Sequence, residues 1–222
     1  LGKTKIHKKY FNKDGVLCPG VTTIVGLYDD GKSGALAHAS WKLGCQGLDY
    51  KEVWGQKRDV GTLCHYFIDC DNKGVNIDND YIKDFSQNTF DMAKTGFLGY
   101  SAWKKSNVKK IITSEISLVD NNLGYGGTID MPYENFEDKI IIADYKTGKI
   151  YDSIKIQLAA YKNLWEVNNG KVDSLQIIQI DSEAGLVTVI PIGDLSLYFE
   201  IFKHLLGVYF LQKKIDKGGG KE

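Results

Sequence analysis

A short apolar run that ends in two charged residues constrains this chain most. In the segment IIIADYKTG, the apolar residues 140–143 stand directly before Asp144 and Lys146. Such a run predicts a central strand, and residues two apart on a strand point to the same face of the sheet. A carboxylate and an ammonium at the end of a buried strand cost free energy unless they pair or bind a metal ion. The segment therefore predicts an ion pair or a metal site on one face of a sheet.

A second acidic segment, GTIDM, brings in Asp130. If the two strands pair antiparallel with Asp130 opposite Asp144, the turn centres on residue 137, midway between them, in the polar segment ENFEDK. Cross-strand neighbours lie about 5 Å apart, so two carboxylates would converge beside Lys146. Hard divalent cations such as Mg²⁺ and Mn²⁺ prefer oxygen ligands of this kind. The alternative is a structural ion pair between Lys146 and either aspartate.

The order of periodic segments predicts an α+β fold with one mixed sheet flanked by helices. Apolar residues at helical spacing indicate three helices before residue 107, then strand-like patterns indicate three strands. A helix with Ile154, Leu158, Tyr161 and Trp165 on one face follows, then two more strands and a last helix. The predicted helices are 36–48, 53–70, 81–103, a helix after Tyr151, and 195–215; the predicted strands are 109–120, 121–132, 138–148, 172–181 and 185–192.

Composition excludes some classes of protein. The 28 lysines and arginines balance 28 aspartates and glutamates, which argues against coating nucleic acid by bulk charge but leaves room for a local site. Arg58 is the single arginine, so base reading by arginine forks is not expected. No apolar run approaches the ~18 residues of a membrane span, and no membrane partner is expected.

One motif points to a different chemistry. Residues 26–33, GLYDDGKS, match the phosphate-loop pattern GxxxxGK[ST], from Gly26 to Lys32 and Ser33. VTTIV before it could be a strand, and a helical pattern follows, as in a nucleotide-binding protein. Asp29 and Asp30 would place carboxylates where phosphates must bind, and the loop has no interior glycine. An NTPase that uses Lys32 is therefore an alternative function.

The ordered set of GTIDM, IIIADYKTG and the helix pair Gln157–Tyr161 resembles the PD-(D/E)XK nuclease superfamily. It looks in particular like the RecB-like exonuclease branch, which includes phage and mitochondrial genome maintenance exonucleases. PGVTTIV and GTLCHYFID, which contains His65, resemble N-terminal motifs of that branch. The resemblance implies a restriction-endonuclease-like fold with an N-terminal helical lobe, 1–107, and a nuclease core, 108–217. The glycine-rich tail, 218–222, is expected to fray.

The resemblance also implies the roles of individual residues. Lys146 corresponds to the catalytic lysine, and Gln157 and Tyr161 to helix residues that steady the lysine or touch the phosphate. His65 could instead be an ordinary hydrogen-bonded helix histidine, and Glu115 a surface or salt-bridged glutamate. The implied metal ligands are Asp130, Asp144, the main-chain carbonyl of Tyr145, His65 and Glu115.

The implied activity is that of an Mg²⁺- or Mn²⁺-dependent DNA exonuclease that acts on single strands or duplex ends and leaves 5′-phosphates. The helices around His65 would form a wall that limits entry to a strand end. The family's iron–sulfur cluster is not expected, since no cysteine follows Cys70. A catalytically silent nucleic-acid-binding module is a further alternative.

The expected partners follow from the same implied activity, and the expected location follows from the first residues, LGKTKIHKKYFNKDG, which have no signal-peptide pattern. DNA is the expected partner, with recombination or replication proteins as protein partners. A cytoplasmic location in a bacterial or phage-encoded setting is expected, or the mitochondrial matrix if a transit peptide has been removed.

An aromatic and lysine-rich segment is a candidate phosphate-tracking patch, comprising Trp103, Lys104, Lys105, Lys109 and Lys110.

Overall fold

The computed structural model describes residues 8–28 and 32–218. A hairpin of β1 (Tyr10–Phe11) and β2 (Leu17–Cys18) leads into a short helix, α1 (Val21–Val25). The remaining helices are α2 (Lys32–Cys45), α3 (Tyr50–Lys73), α4 (Asn79–Ile82), α5 (Gln87–Asn107), α6 (Ser153–Asn169) and α7 (Ser196–Gly218). The remaining strands are β3 (Lys110–Ile111), β4 (Ile116–Asp120), β5 (Tyr125–Ile129), β6 (Met131–Glu134), β7 (Ile140–Lys146), β8 (Ser174–Asp181) and β9 (Leu186–Ile192). In these ranges no helix is long and apolar enough to span a membrane.

The central sheet is mixed, as the sequence predicts. Its five strands lie in the order β3-β6-β7-β8-β9. β7 and β8 pair parallel, because α6 crosses between them, and the other neighbours pair antiparallel. This order puts β7 in the middle of the sheet, where its apolar residues are covered on both faces. The α+β fold with helices flanking a mixed sheet is confirmed.

The first two predicted strands of this region are each divided in two, so those predictions were wrong in extent. Residues 109–120 form β3 and β4, which belong to different sheets, and residues 121–132 contribute to β5 and β6. β4 pairs with β5 in a separate two-stranded sheet, while β3 pairs with β6 in the central one. The chain bends at Glu115, whose φ of 54° is left-handed, and at Asp130. Hydrophobic alternation continues from Ile129 through Asp130 to Met131, so that bend leaves no sign in the pattern, whereas the polar residues 113–115 interrupt it at the first bend.

Two apolar cores cover the two faces of the central sheet. Alternation along β7 sends Ile142 to the face packed by α6, α7 and α1, and sends Ile141 and Ala143 to the face packed by α3 and α5. On α6, the predicted buried stripe is confirmed, since Ile154, Leu158, Tyr161 and Trp165 are all buried. α6 thus holds one face of the β7 end in place, and α3 holds the other.

The segment before the phosphate-loop motif is a helix, contrary to the strand that a phosphate loop requires. Val21, Ile24 and Val25 of α1 are buried, and their spacing of three and four places them on one helical face. A five-residue segment with apolar residues at positions one, four and five fits a helix turn as well as a strand. Residues 29–31 of the motif and the side chain of Lys32 lie outside the described residues.

Candidate metal centre

The hairpin of β6 and β7 has the register that the sequence predicts. Met131 pairs with Ala143 and Glu134 pairs with Ile140, so the next position along puts Asp130 opposite Asp144. The backbone N–H of Tyr145 donates to Oδ2 of Asp130 over 3.0 Å. This hydrogen bond fixes the Asp130 carboxylate against the end of β7. Two acidic residues far apart in sequence are therefore neighbours at one end of the central strand.

A second group of ligand atoms converges on Asp130. One ligand atom from each of His65, Glu115 and Asp130 lies within 4.8 Å of the other two. The Nδ1 atom of His65, on α3, is 4.0 Å from Oδ2 of Asp130. All three side chains are partly exposed, so an ion could reach them from solvent. These three residues, called the acidic cluster below, are among those implied as metal ligands.

Glu115 joins the acidic cluster because the chain bends there. Its backbone N–H donates to the carbonyl oxygen of Asp130 over 2.8 Å, which couples the two bends. Next to it, the Ser114 hydroxyl donates to Oδ1 of Asp69 over 2.8 Å, so α3 anchors the bend. The left-handed φ of 54° at Glu115 is a strained conformation for a residue with a side chain. Such strain is found where a side chain must be aimed at a site.

Asp144 and Lys146 form a close ion pair beside the acidic cluster. Nζ of Lys146 is 2.6 Å from Oδ2 of Asp144, and that oxygen is buried without a partner in good hydrogen-bond geometry. Burial raises the pKa of Asp144, and Lys146 opposes this shift. Burial alone would lower the pKa of Lys146, but Asp144 and then Asp130 raise it above its usual value. Lys146 therefore keeps its positive charge at the end of β7.

The helix pair on α6 reaches the same place. Nε2 of Gln157 donates to the hydroxyl of Tyr161 over 2.9 Å, as expected for residues four apart on one face. Burial raises the pKa of Tyr161 well above its usual range, and the charges of Asp144 and Asp130 raise it further. The phenol is therefore neutral and available to donate a hydrogen bond. The small residue Gly127 makes room for this ring, because a Cβ there would lie 2.8 Å from Cε1 of Tyr161.

A buried polar network behind the cluster was missed from the sequence. The ring of Tyr145 meets that of His65 edge to face, with centroids 5.6 Å apart. Its hydroxyl accepts from Nδ2 of Asn72 over 3.2 Å, and the hydroxyl of Tyr100 donates to Oδ1 of Asn72 over 2.8 Å. Asn72 follows His65 by seven residues on α3, a spacing that places both on one face. That spacing of polar residues is the signal that could have identified the network.

The aromatic and lysine-rich segment lies away from the acidic cluster. Lys104 pairs with Asp71 at 2.8 Å, Lys109 pairs with Glu134 at 2.7 Å and with Asp138, and Trp103 packs edge to face on Tyr133. Lys105 and Lys110 are exposed. In the strand register, Lys110 lies opposite Glu134, and Glu134 lies opposite Ile140 at the start of β7. Lys110 is therefore roughly 13 to 20 Å along the strand from the charged end of β7. A role for this segment in nucleic-acid binding stays a prediction.

The chemistry of the cluster fits a hard divalent cation. One imidazole and two carboxylates can approach a common point, and a third carboxylate, Asp144, lies beside them with one oxygen that makes no hydrogen bond of good geometry. Carboxylate-rich sets with a histidine suit Mn²⁺ and Mg²⁺ better than soft metals. Two of these carboxylates also have lysine partners, since Nζ of Lys8 lies 3.8 Å from Oε2 of Glu115 and Nζ of Lys146 lies 2.6 Å from Oδ2 of Asp144. By the chemistry of their ligand atoms, the residues present could hold a metal ion.

Comparisons with known proteins show the fold. The chain is similar to a crystal structure described as a "putative exonuclease" from Eubacterium rectale, with a TM-score of 0.50 and 15% sequence identity. The similarity covers 73% of this chain and 69% of that chain. No family model matches the sequence, and no curated protein matches it. The chain therefore has an α+β fold shared with that structure, and carries a candidate metal centre at the end of its central strand.

Proposed function

We propose that this protein is a metal-dependent DNA nuclease of the RecB-like branch, with the acidic cluster and the end of β7 as its active site. One observation carries the proposal. His65, Glu115 and Asp130 converge within 4.8 Å of one another, next to the Asp144–Lys146 pair, and their ligand atoms suit a hard divalent cation. The fold shared with an exonuclease-like structure supports the same function.

The metal ion would be Mg²⁺ or Mn²⁺, held by Asp130, Asp144, Glu115 and His65, with the carbonyl of Tyr145 as a further ligand. When bound, such an ion holds a phosphodiester, lowers the pKa of a water molecule and stabilises charge on phosphorus. The chain's own contribution is to keep the ligands in place. The N–H of Tyr145 and the ring of Tyr145 hold Asp130 and His65, respectively.

Lys146 supplies the positive charge that the reaction needs from the protein. Its ammonium stays protonated beside Asp144 and Asp130, so it can neutralise charge that develops on the phosphate or orient the attacking water. The neutral phenol of Tyr161, fixed by Gln157, can donate a hydrogen bond toward the same phosphate. Lys146 comes from β7, where it pairs with Asp144, and Tyr161 comes from α6, where the charge of Asp144 affects its pKa.

The substrate and mode of attack follow from the family resemblance. DNA single strands or duplex ends are the proposed substrate, hydrolysed to 5′-phosphate products by an exonuclease. α3 and α5 stand beside the site as a wall on one face of the sheet. A helical wall of this kind favours a strand end over the middle of a closed strand.

The substrate is tested with end-labelled linear single-stranded DNA, linear duplex DNA and closed circular single-stranded DNA, each titrated with Mg²⁺ and Mn²⁺. We expect metal-dependent loss of both linear substrates, 5′-phosphate products, and a circular strand that is cut at least about 100-fold more slowly. The expected ratio reflects the need to place a strand end within the site, an orientation effect of this size or larger. An RNA strand of the same sequence serves as the matched control for sugar preference.

Two outcomes would contradict parts of the proposal. Rapid cutting of the circular strand would agree with a nuclease but contradict the proposed exonuclease mode. Intact DNA at every metal concentration would favour the silent binding module instead.

A further inference from the structure

A cleft beside the acidic cluster has no role in the chemistry described so far. It has a volume of about 350 Å³. α3 contributes Lys57, Arg58, Thr62 and His65 to its lining, and the loop after β7 contributes Thr147 and Gly148. His65 is thus shared between the cleft and the acidic cluster. A ligand in the cleft would lie next to whatever the cluster holds.

The cleft is open to solvent, and the charged and hydroxyl side chains at its edge suit an anion. Lys57 and Arg58 are cationic, Thr62 and Thr147 offer hydroxyl groups, and no carboxylate is among the lining residues that the structure describes. The Arg58 side chain is 73% exposed, and its Nε lies 3.9 Å from Oδ1 of the neighbouring Asp59. An ion pair this long and exposed is weak. The N–H groups of the Arg58 guanidinium can therefore donate hydrogen bonds to a ligand.

Close packing holds the two walls of the cleft at a fixed distance. Gly61 of α3 faces Thr147, and a Cβ at Gly61 would lie 2.7 Å from Oγ1 of Thr147. A glycine at this point therefore lets the loop after Lys146 lie directly against α3. This contact keeps the cationic residues of α3 close to the end of β7, where Lys146 and Asp144 lie.

We propose that this cleft binds a backbone phosphate of the nucleic-acid strand, next to the phosphate that is hydrolysed. The inference rests on the proposed function and adds to it the residues that hold the strand. Arg58 presents a planar fork that matches two phosphate oxygens, and Lys57 adds a point charge. His65, between the cleft and the cluster, marks the point where the strand passes from one to the other. Arg58, the single arginine of the chain, thus contacts the sugar–phosphate backbone of the strand and no base.

The test replaces both cations, as Arg58→Ala with Lys57→Ala, and measures hydrolysis of linear single-stranded DNA in Mn²⁺ at several KCl concentrations. We expect KM to rise about tenfold, as for the removal of two exposed charge contacts that are each worth about threefold in affinity, with kcat within about twofold of wild type. The slope of log(kcat/KM) against log[salt] should flatten by about 0.7 for each phosphate that the variant no longer neutralises. The matched control, Lys51→Ala with Lys94→Ala, removes two exposed lysines outside the cleft and should leave KM and the slope unchanged.

Each outcome decides the inference. An unchanged KM and salt slope, or a fall in kcat alone, would overturn the cleft as a strand site while leaving the nuclease intact. If the wild type hydrolyses nothing, the proposed function fails, and the cleft is then judged by fluorescence anisotropy with the same oligonucleotide. Weaker binding by the double variant than by the wild type would still support the cleft, whereas equal binding or none would overturn it.

Discussion

Asp144→Asn is expected to reduce metal-dependent DNA hydrolysis by at least about 10²- to 10³-fold, the loss typical of one essential charge at a reacting phosphate or carbonyl. The carboxamide has the shape of the carboxylate but lacks its charge, so it is a poor ligand for a hard divalent cation. Burial raises the pKa of Asp144, which means that the site already disfavours the charged form. A neutral Asn of the same shape should therefore keep the fold, with Asp130 as the remaining carboxylate that stabilises the charge of Lys146.

Lys146→Ala is expected to cause a loss of similar size for a different reason. It removes the ammonium that lies 2.6 Å from Asp144 and leaves the metal ligands in place. Single-turnover hydrolysis in Mn²⁺ measures both variants, and thermal unfolding shows whether each is folded. Lys162→Ala, which removes an ammonium 3.7 Å from Glu166 on α6, is the matched control. Wild-type rates in a folded Asp144→Asn or Lys146→Ala variant would contradict the proposed site.

Gly99→Ala is expected to have the largest effect on stability. Gly99 lies in α5, and a Cβ there would be 2.1 Å from the carbonyl oxygen of Gly185, in the turn between β8 and β9. Gly185 has a left-handed φ of 68°, so that turn cannot move without losing its own conformation. Forcing backbone apart in a packed site costs about 1–3 kcal/mol or more. We expect a fall in the melting temperature of roughly 2 to 12 °C.

The matched control for Gly99 is Gly207, in the middle of α7. Nothing lies within 4 Å of a Cβ at Gly207, so Gly207→Ala adds only helix propensity. This change should raise the free energy of unfolding by up to about 1 kcal/mol. Urea unfolding of both variants measures the difference. If Gly99→Ala were as stable as the wild type or more stable, α5 and the β8–β9 turn would not pack as described.

The sequence predicted the part of the fold that depends on simple periodicity. The register of Asp130 and Asp144 followed from one antiparallel hairpin, because residues at equal distances from its turn must pair. The buried face of α6 followed from apolar residues three and four apart. Both inferences use only the local periodicity of residues 130–165.

The rest could not be predicted because it depends on where the chain bends. Glu115 and Asp130 divide two predicted strands. The hydrophobic alternation runs unbroken past Asp130, and the polar residues 113–115 do not by themselves show that β3 and β4 belong to different sheets. Tertiary packing selects the bends, through the Ser114–Asp69 and Glu115–Asp130 hydrogen bonds. For the same reason Arg58 and Thr147 showed no sign of sharing a cleft, since only the close approach at Gly61 brings α3 and the loop after β7 together.

Direct binding of Mn²⁺, measured by electron paramagnetic resonance of the free ion during a titration, tests the central claim. The wild type should bind Mn²⁺, and Asp130→Asn should weaken that binding more than about tenfold, since Asp130 belongs to the cluster and is held by Tyr145. The matched control is Asp138→Asn, in the turn of the same hairpin, where the carboxylate pairs with Lys109. Binding that is lost in Asp130→Asn and kept in Asp138→Asn is the predicted result. No Mn²⁺ binding by the wild type, or equal binding by all three proteins, would contradict a metal centre at the end of β7.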